Sequence, residues 1–258
     1  FNIIMKIAVL IKQVPGSESA LPLNDAQNWI EESSVTFVMN PPDNFALEEA
    51  LLIKEESNDG EVVVISMGPT RVQKVIREGL AKGADRGIHI EEQREIEKDS
   101  LSIAKQFASV LKEENFDLIL TGLQSDDTGM GQTGVLIGEL LGFSTATLAI
   151  ETKLEADQIR IKRELESGWF QWVSMPLPAS ISIQSGLNTP RYPSLKGIMG
   201  AKKKELKSVI YEPSSEQSQI IDNIFIPQNS KETEIIDTDV DQAVERVYEI
   251  LKSEIKVL

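Results

Sequence analysis

The stretch FDLILTGLQSDDTGMGQTGVLIGELL, from Phe116 to Leu141, combines a strand pattern, a turn and a helix pattern. Residues 116–121 form an apolar run of strand length, and residues 135–141 have helical character. The segment between them, GLQSDDTGMGQTG, is rich in glycine. Such turns often bind phosphate groups, because free backbone N–H groups point outward at the helix start. Asp126 and Asp127 would repel an anion, so these residues leave two interpretations open, a phosphate-binding turn and an ordinary connection.

Strand and helix patterns alternate over the first 145 residues. Four short β-branched runs predict strands, at residues 7–11, 61–66, 87–90 and 118–121. The segments between them predict helices, at residues 44–56 (with Asp43 or Asn44 as the N-cap), 71–81 and 100–113. This alternation indicates the α/β class, with a parallel sheet that helices cover on both faces.

After residue 143 the pattern changes to successive strands. Four runs predict them, at residues 146–154, 158–165, 169–174 and 179–184. In the second run, alternation places Ile159, Ile161 and Arg163 on one face and Arg160, Lys162 and Glu164 on the other. We therefore expect antiparallel additions at the edge of the sheet.

Core-like apolar density falls from Arg191 onward, and residues 212–237 are polar. A last amphipathic helix is predicted at residues 240–251. Its apolar face comprises Val240, Ala243, Val247 and Leu251. We expect this extended C-terminal arm to wrap a partner chain, because a segment with so few core residues seldom folds alone.

Composition excludes several functions. The chain has no cysteine, so disulfides, thiolate chemistry and cysteine-based metal sites are excluded, and the single histidine, His89, lies in a strand-like run that suggests a structural role. The 41 acidic and 26 basic residues give a net charge of −15, which argues against nucleic acid as a partner. No run approaches the ~20 apolar residues of a transmembrane span. We expect a cytoplasmic protein, and Met5 could be its natural start, with residues 1–4 as a short extension.

Three turns follow the carboxyl ends of predicted strands, after Ile11, Ser66 and Thr121. In an open parallel sheet such turns can line one ligand crevice. The third ends in Gly-Gln-Thr-Gly, where backbone N–H groups and the Thr133 hydroxyl could hold a phosphate. The sequence contains no GxxxxGK[ST], and no GxGxxG follows the first strand, so P-loop and Rossmann binding are unsupported.

Several longer motifs carry a family resemblance. They are LNTPRYPSLKGIM at residues 187–199 with GAKKK after it, KIAVLIKQV at 6–14, NPPDNFALEEALLIKE at 40–55, SMGPTRV at 66–72, LAKGADR at 80–86 and KRELESG at 162–168. Over about residues 5–205 the chain closely resembles the β subunit of electron transfer flavoprotein. The resemblance implies a flavodoxin-like or adenine-nucleotide-hydrolase-like domain at residues 1–190, followed by a recognition loop and a partner-wrapping arm at 191–258.

By this resemblance the chain pairs with an α subunit, which holds the redox-active FAD, and itself binds a structural AMP. The heterodimer would carry electrons from flavin-dependent dehydrogenases to a quinone oxidoreductase, in the cytoplasm of a bacterium or archaeon. Carried over by position, the AMP site comprises Leu10, Asn40, Pro41, Pro42, Asp43, Met67, Gly122, Leu123, Gln124, Ser125, Asp126, Asp127, Thr128, Gly129, Met130, Gly131, Gln132 and Thr133.

The resemblance also implies a docking surface for the dehydrogenases. It comprises Tyr192, Leu195, Ile198 and Met199, together with Glu164, which would pair with an arginine of the flavin domain. Leu195 would be the apolar anchor; without the resemblance, inward packing of this leucine would be the preferred interpretation. Lys202–Lys204 fit either a solvated face or a charged element near an acidic partner.

Two alternative functions stay open. A bifurcating relative would bind a second FAD in the crevice and oxidise NADH, although the ending Gln132-Thr133-Gly134-Val135 is closer to the AMP type. A free-standing adenine-nucleotide-binding module would have a similar architecture, but it would lack the recognition loop and the arm.

Overall fold

The computed structural model describes residues 5–57, 59–92, 99–155, 157–210, 218–227 and 233–257. Its strands are β1 (Met5–Leu10), β2 (Gln13–Pro15), β3 (Phe37–Met39), β4 (Gly60–Gly68), β5 (Arg86–Glu91), β6 (Leu118–Gly122), β7 (Ser144–Glu155), β8 (Gln158–Glu164), β9 (Phe170–Pro176), β10 (Ala179–Ile183) and β11 (Leu206–Ile210). Its helices are α1 (Pro41–Ser57), α2 (Gln73–Lys82), α3 (Ser100–Leu111), α4 (Thr133–Leu141), α5 (Leu195–Ala201) and α6 (Val240–Glu249).

One sheet has the strand order β11-β5-β4-β1-β6-β10-β7-β8-β9. Neighbouring strands are parallel from β11 to β7, and β8 and β9 continue the sheet as antiparallel strands. The predicted α/β class, the parallel sheet and the antiparallel addition are therefore confirmed. The strands β2 and β3 pair separately as a small antiparallel ribbon.

Successive residues of the central strands point to opposite sides of the sheet, and side chains on both sides are buried. In β1, Ile7 and Val9 pack with apolar residues of α1 and α2, whereas Ala8 and Leu10 pack with residues of α3 and α4. Helices therefore cover both faces. In β8, Ile159 and Ile161 are fully buried while Arg160 is exposed, as the alternation predicts.

Two of the sequence predictions for this domain are wrong. The strand at residues 179–183 does not extend the antiparallel addition; it lies between β6 and β7 and is parallel to both. All five of its residues are buried, as expected for an interior strand. Helix α1 begins at Pro41, so neither Asp43 nor Asn44 is its N-cap. Proline suits the first turn, because its missing N–H would lack a helical partner there.

The chain divides into two compact units, Phe1–Ile224 and Phe225–Leu258. The second unit contains α6, which continues as a π-helical turn at Ile250–Glu254, so a helix over the predicted range is confirmed. None of the α6 side chains is buried; Val240 is 77% exposed and Val247 is 45% exposed. Two predictions concern residues outside the described ranges. They are the start at Met5, which involves residues 1–4, and the parts of the arm at residues 211–217 and 228–232. No helix in the described ranges is long and apolar enough to cross a membrane.

Candidate functional site

A cleft lies at the carboxyl ends of the central strands. The chain passes from β1 to β4 and β5 on one side, then returns through α3 to β6 on the other side of β1. Such a reversal of strand order separates the loops above the sheet and leaves room for a ligand. The residues that line the cleft are Leu10, Ile11, Lys12, Asn40, Asp43, Met67, Asp99, Ser100, Ile103, Phe107, Thr121, Gly122, Leu123, Gln124, Ser125, Thr128, Met130, Gly131, Gln132, Thr133, Gly134, Gln219, Ile220 and Ile221.

Asn40 and Asp43 connect three segments at the floor of this cleft. The Asp43 carboxylate accepts hydrogen bonds from the backbone N–H of Lys12 (2.6 Å) and of Gly122 (3.1 Å). The Asn40 side-chain amide donates to Asp43 (3.0 Å) and to the Gln124 carbonyl (3.0 Å). These bonds hold the start of α1, the loop after β1 and the end of β6 together.

Burial also changes the acidity of this cluster. Asp43 is 5% exposed, and burial raises the pKa of its carboxyl to about 7, although the N–H donors and Lys12 favour the ionised form. The backbone of Gly122 passes directly over it, since a Cβ on Gly122 would lie 2.3 Å from Asp43 Oδ1. The close approach requires glycine at this position.

Lys12 reduces the repulsion that the two aspartates of the glycine-rich loop would exert on an anion. Its ammonium lies 2.7 Å from Asp127 Oδ1. Burial opposes ionisation of Asp127, but the Lys12 charge and the hydrogen bonds outweigh it and hold its pKa below the ordinary value. Asp126 is exposed and its N–H donates to Asn40 Oδ1 (3.0 Å). One carboxylate is thus neutralised by a cation, and the other is exposed and does not line the cleft.

The glycine-rich loop reaches α4 in a conformation that glycine permits. Gly129 and Gly131 have φ of +62° and +63°, in the left-handed region that L side chains rarely adopt. The side chain of Gln132, the residue before α4, makes no capping hydrogen bond, and Thr133 begins the helix. The first N–H groups of a helix attract anions, so this helix start suits a phosphate. At the other end of the loop, Leu123 N–H donates to the Ile183 carbonyl (3.0 Å).

Most of the predicted site residues lie together in the cleft. Those in its lining are Leu10, Asn40, Asp43, Met67, Gly122, Leu123, Gln124, Ser125, Thr128, Met130, Gly131, Gln132 and Thr133. Those outside the lining are Pro41, Pro42, Asp126, Asp127 and Gly129. Sequence analysis missed Lys12, although its place directly after the first strand is a signal for it. It also missed the contribution of α3 and of residues 219–221, for which the sequence carries no local signal.

His89 has a structural environment. It is fully buried on β5; its Nε2–H donates to the Gly68 carbonyl (2.9 Å), and its Nδ1 accepts from the Gln73 amide (3.2 Å). The Nε2–H tautomer fits these two partners, because a carbonyl can only accept and the amide nitrogen can only donate. Within the described ranges, no cluster of three or more acidic or histidine side chains is arranged to hold a metal ion.

The predicted docking residues form an exposed apolar surface. Tyr192 is 94% exposed, Leu195 is 82% exposed, Met199 is 73% exposed and Ile198 is 46% exposed. Ser194 caps the short helix α5 by accepting from the N–H of Gly197 (3.0 Å). The alternative of inward packing for Leu195 is not what the structure shows. Contiguous exposed apolar side chains of this kind mark interaction surfaces.

An arginine clamp holds this loop on α1. The Arg191 guanidinium contacts Glu48 through Nε (2.9 Å) and Nη2 (2.9 Å), and Glu55 through Nη1 (2.6 Å). Glu48 is only 6% exposed, so this pairing satisfies a buried carboxylate. The hydrogen bonds that Arg191 donates to Glu55 and Glu48 raise its pKa above its already high ordinary value. Asn188 adds a bond to Glu49 (2.9 Å).

The three lysines of the basic run, Lys202–Lys204, have two different environments. Lys204 Nζ donates to the Leu80 carbonyl (3.0 Å) and to that of Ala84, near the end of α2, and desolvation lowers its pKa. Lys202 and Lys203 are exposed. The run is therefore one structural lysine and two solvated ones. Glu164, the remaining predicted docking residue, is half-buried on β8 and accepts from the Gln184 amide (3.0 Å).

The fold and this cleft define an α/β protein with a ligand crevice at the switch point of a parallel sheet. Residues 27–213 match the family model for the electron transfer flavoprotein domain. The chain is 38% identical over 203 residues to an electron transfer flavoprotein subunit beta of Dictyostelium discoideum, covering 79% of this chain and 80% of the relative. The corresponding protein of Bradyrhizobium diazoefficiens is 39% identical over 202 residues, covering 78% and 80%. That of Syntrophomonas wolfei is 31% identical over 253 residues, covering 98% of both chains.

The chain therefore belongs to the electron transfer flavoprotein β-subunit family. Membership confirms the resemblance on which the sequence analysis relied. It places the chain in electron transport and implies an α-subunit partner.

Proposed function

We propose that this chain forms a heterodimer with an α subunit and carries a structural AMP, while the redox FAD is held mainly by the α subunit. The heterodimer would take electrons from flavin-dependent dehydrogenases and pass them to a quinone oxidoreductase. The observation that carries the AMP assignment is the cleft itself. The glycine-rich loop, the start of α4 and Lys12, which pairs with Asp127, lie together at its polar side.

The donors in the cleft fit a nucleotide monophosphate. The N–H groups at the start of α4 and the Thr133 hydroxyl would hold the phosphate. Asp127 would not oppose it, because Lys12 already balances that carboxylate. Asn40 fixes the loop through the Gln124 carbonyl and so keeps these groups in place. AMP bound there would supply no redox chemistry, and its role would be to stabilise the fold.

The exposed loop supports the docking role. Leu195 and Tyr192 present apolar surface, and the Arg191 clamp restricts the loop that carries them. An apolar side chain on a restrained loop can enter a partner pocket at low entropic cost. We propose that residues 1–190 form the nucleotide-binding part and residues 191–258 the recognition loop and the partner-wrapping arm. A cytoplasmic location in a bacterium or archaeon stays a prediction.

The test is to co-express the chain with the α subunit of the same organism, purify the heterodimer, denature it and quantify the released nucleotides. We expect one AMP and one FAD per heterodimer. Two FAD molecules without AMP would refute the proposal in favour of a bifurcating protein that oxidises NADH. A chain that elutes alone as an ATP-binding homodimer would instead indicate a free-standing module.

A further inference from the structure

Residues 218–224 form a segment, here called the strap, that reaches the cleft from far along the chain. Gln219, Ile220 and Ile221 line the cleft. At the first end of the strap, the N–H groups of Ser218 and Gln219 both donate to Asp99 Oδ2, the second over 3.0 Å. At the other end, Ile224 N–H donates to the Gln27 carbonyl (2.7 Å). The strap is therefore attached to the domain at both ends.

Asp99 uses its two carboxylate oxygens for different purposes. Oδ1 accepts from Ser102 N–H (2.7 Å) and caps α3, whereas Oδ2 accepts only from the strap among the bonds described. The residue is 7% exposed. Burial opposes its ionisation, but the backbone donors of Ser102, Ser218 and Gln219 outweigh it and hold the pKa of Asp99 at about 2. An ionised carboxylate can accept on both sides, as this arrangement requires.

The strap faces the apolar part of the cleft. Leu10, Met67, Ile103 and Phe107 belong to one continuous apolar cluster between the sheet and α3, and all four line the cleft. Ile220 lines the same cleft and leaves 75% of its surface exposed. The polar lining comes from Lys12, Asn40 and the glycine-rich loop. Nucleotide sites have this division, with polar groups for phosphate and sugar and an apolar slot for the flat base.

We propose that the strap, held closed by Asp99, forms the base-side wall of the nucleotide site and that Asp99 determines how long the nucleotide stays bound. This inference rests on the proposed AMP site and adds to it a positioning residue far from the glycine-rich loop. A base between α3 and Ile220 can leave only when the strap moves. Breaking the Asp99 bonds to Ser218 and Gln219 therefore accelerates dissociation without altering any phosphate contact.

Asp99→Asn separates the two roles of this residue. Asparagine is as good an N-cap as aspartate, so its side-chain oxygen can still accept from Ser102. Its amide nitrogen replaces Oδ2 and cannot accept from Ser218 or Gln219. Asp239→Asn is the matched control, because Asp239 caps α6 by accepting from two backbone N–H groups and is not part of the cleft.

The measurement is the dissociation rate of isotopically labelled AMP from the purified heterodimer, chased with unlabelled AMP. Loss of two hydrogen bonds to a charged group predicts a dissociation rate at least about tenfold faster for Asp99→Asn, and no change for Asp239→Asn. Ile220→Ser, which leaves the Asp99 bonds to Ser218 and Gln219 intact, should also accelerate dissociation. Bound AMP should slow hydrogen exchange of the Ser218 and Gln219 amides.

Two outcomes overturn the inference and can be told apart. If the wild-type heterodimer neither contains nor binds AMP, the proposed function fails and the inference fails with it. If the wild type binds AMP, and both Asp99→Asn and Ile220→Ser release it at the wild-type rate, only the role of the strap is refuted.

Discussion

The Arg191 clamp allows a quantitative test of what holds the exposed loop after Arg191 on α1. In Arg191→Ala, the buried Glu48 loses all of its guanidinium bonds, and the exposed Glu55 loses its Arg191 partner. Glu48 keeps one donor, the backbone N–H of residue 191 at 3.0 Å. The substitution therefore weakens the solvation of a buried carboxylate without removing all of it.

The expected cost follows from burial. Removing one partner of a fully buried ion pair costs about 3–5 kcal/mol, because the other charge is left uncompensated. Here the Arg191 side chain is 32% exposed, so water already screens part of the interaction, and the remaining N–H donor reduces the loss. We expect a decrease of about 2 kcal/mol in the free energy of unfolding, which corresponds to roughly 4–8 °C in Tm for a domain of this size.

Urea denaturation of the purified chain, followed by tryptophan fluorescence, measures this difference. Arg246→Ala is the matched control, since Arg246 also contacts two carboxylates, Glu234 and Glu254, but both are more than half exposed. The control should leave the unfolding midpoint unchanged, because exposed ion pairs contribute little. Equal shifts for the two variants, or no shift for Arg191→Ala, would refute the reasoning that the burial of Glu48 determines the strength of the clamp.

Three further predictions concern the cleft and the loop. Thr133→Val should lower AMP retention and heterodimer stability by about 1–2 kcal/mol, the value of one hydrogen bond to a charged group; unchanged AMP content and Tm would contradict the phosphate role. Leu195→Ala should slow electron transfer from a flavin dehydrogenase of the same organism while AMP and FAD content stay constant, and Leu140→Ala, at another exposed leucine, should not. The Asp43 pKa of about 7 lies above that of the unfolded chain, so the unfolded state ionises first and Asp43 contributes less stability as pH rises from about 4 to about 7. The unfolding free energy of wild type minus that of Asp43→Asn should fall over that range and level off above it; a pH-independent difference would show that the pKa is not raised.

The central strands and their helices could be predicted because their signals are local. A strand buried on both faces is largely apolar, as β4 and β6 are, and an amphipathic helix shows its own period. The position of β10 could not be predicted in this way. Its sequence, Ala-Ser-Ile-Ser-Ile, indicates a strand, but its pairing with β6 and β7 depends on residues distant in the chain. Strand β11 and helix α5 were missed because most of their residues are not buried.

The candidate site was predictable to a similar extent. The glycine-rich loop can be recognised from its composition. The Lys12–Asp127 pair cannot, because it joins residues more than a hundred positions apart. The N-cap prediction for Asp43 failed because the carboxylate accepts from Lys12 and Gly122, which only the tertiary structure brings near. The strap could not be predicted for the same reason, since Asp99 and Ser218 are far apart in the sequence and adjacent only in the folded structure.

The interior position of β10 also governs the order in which the protein can assemble. Until this strand is synthesised, β6 is an open edge whose N–H and C=O groups lack a neighbour on one side, and Leu123, the second residue of the glycine-rich loop, lacks its Ile183 partner. Pairings of this sequence separation form slowly, because a long loop must close before they add stability. On the ribosome, then, the cleft is completed only after β7, β8 and β9 have all emerged, and a nascent chain that ends before β10 has an unpaired strand edge at β6.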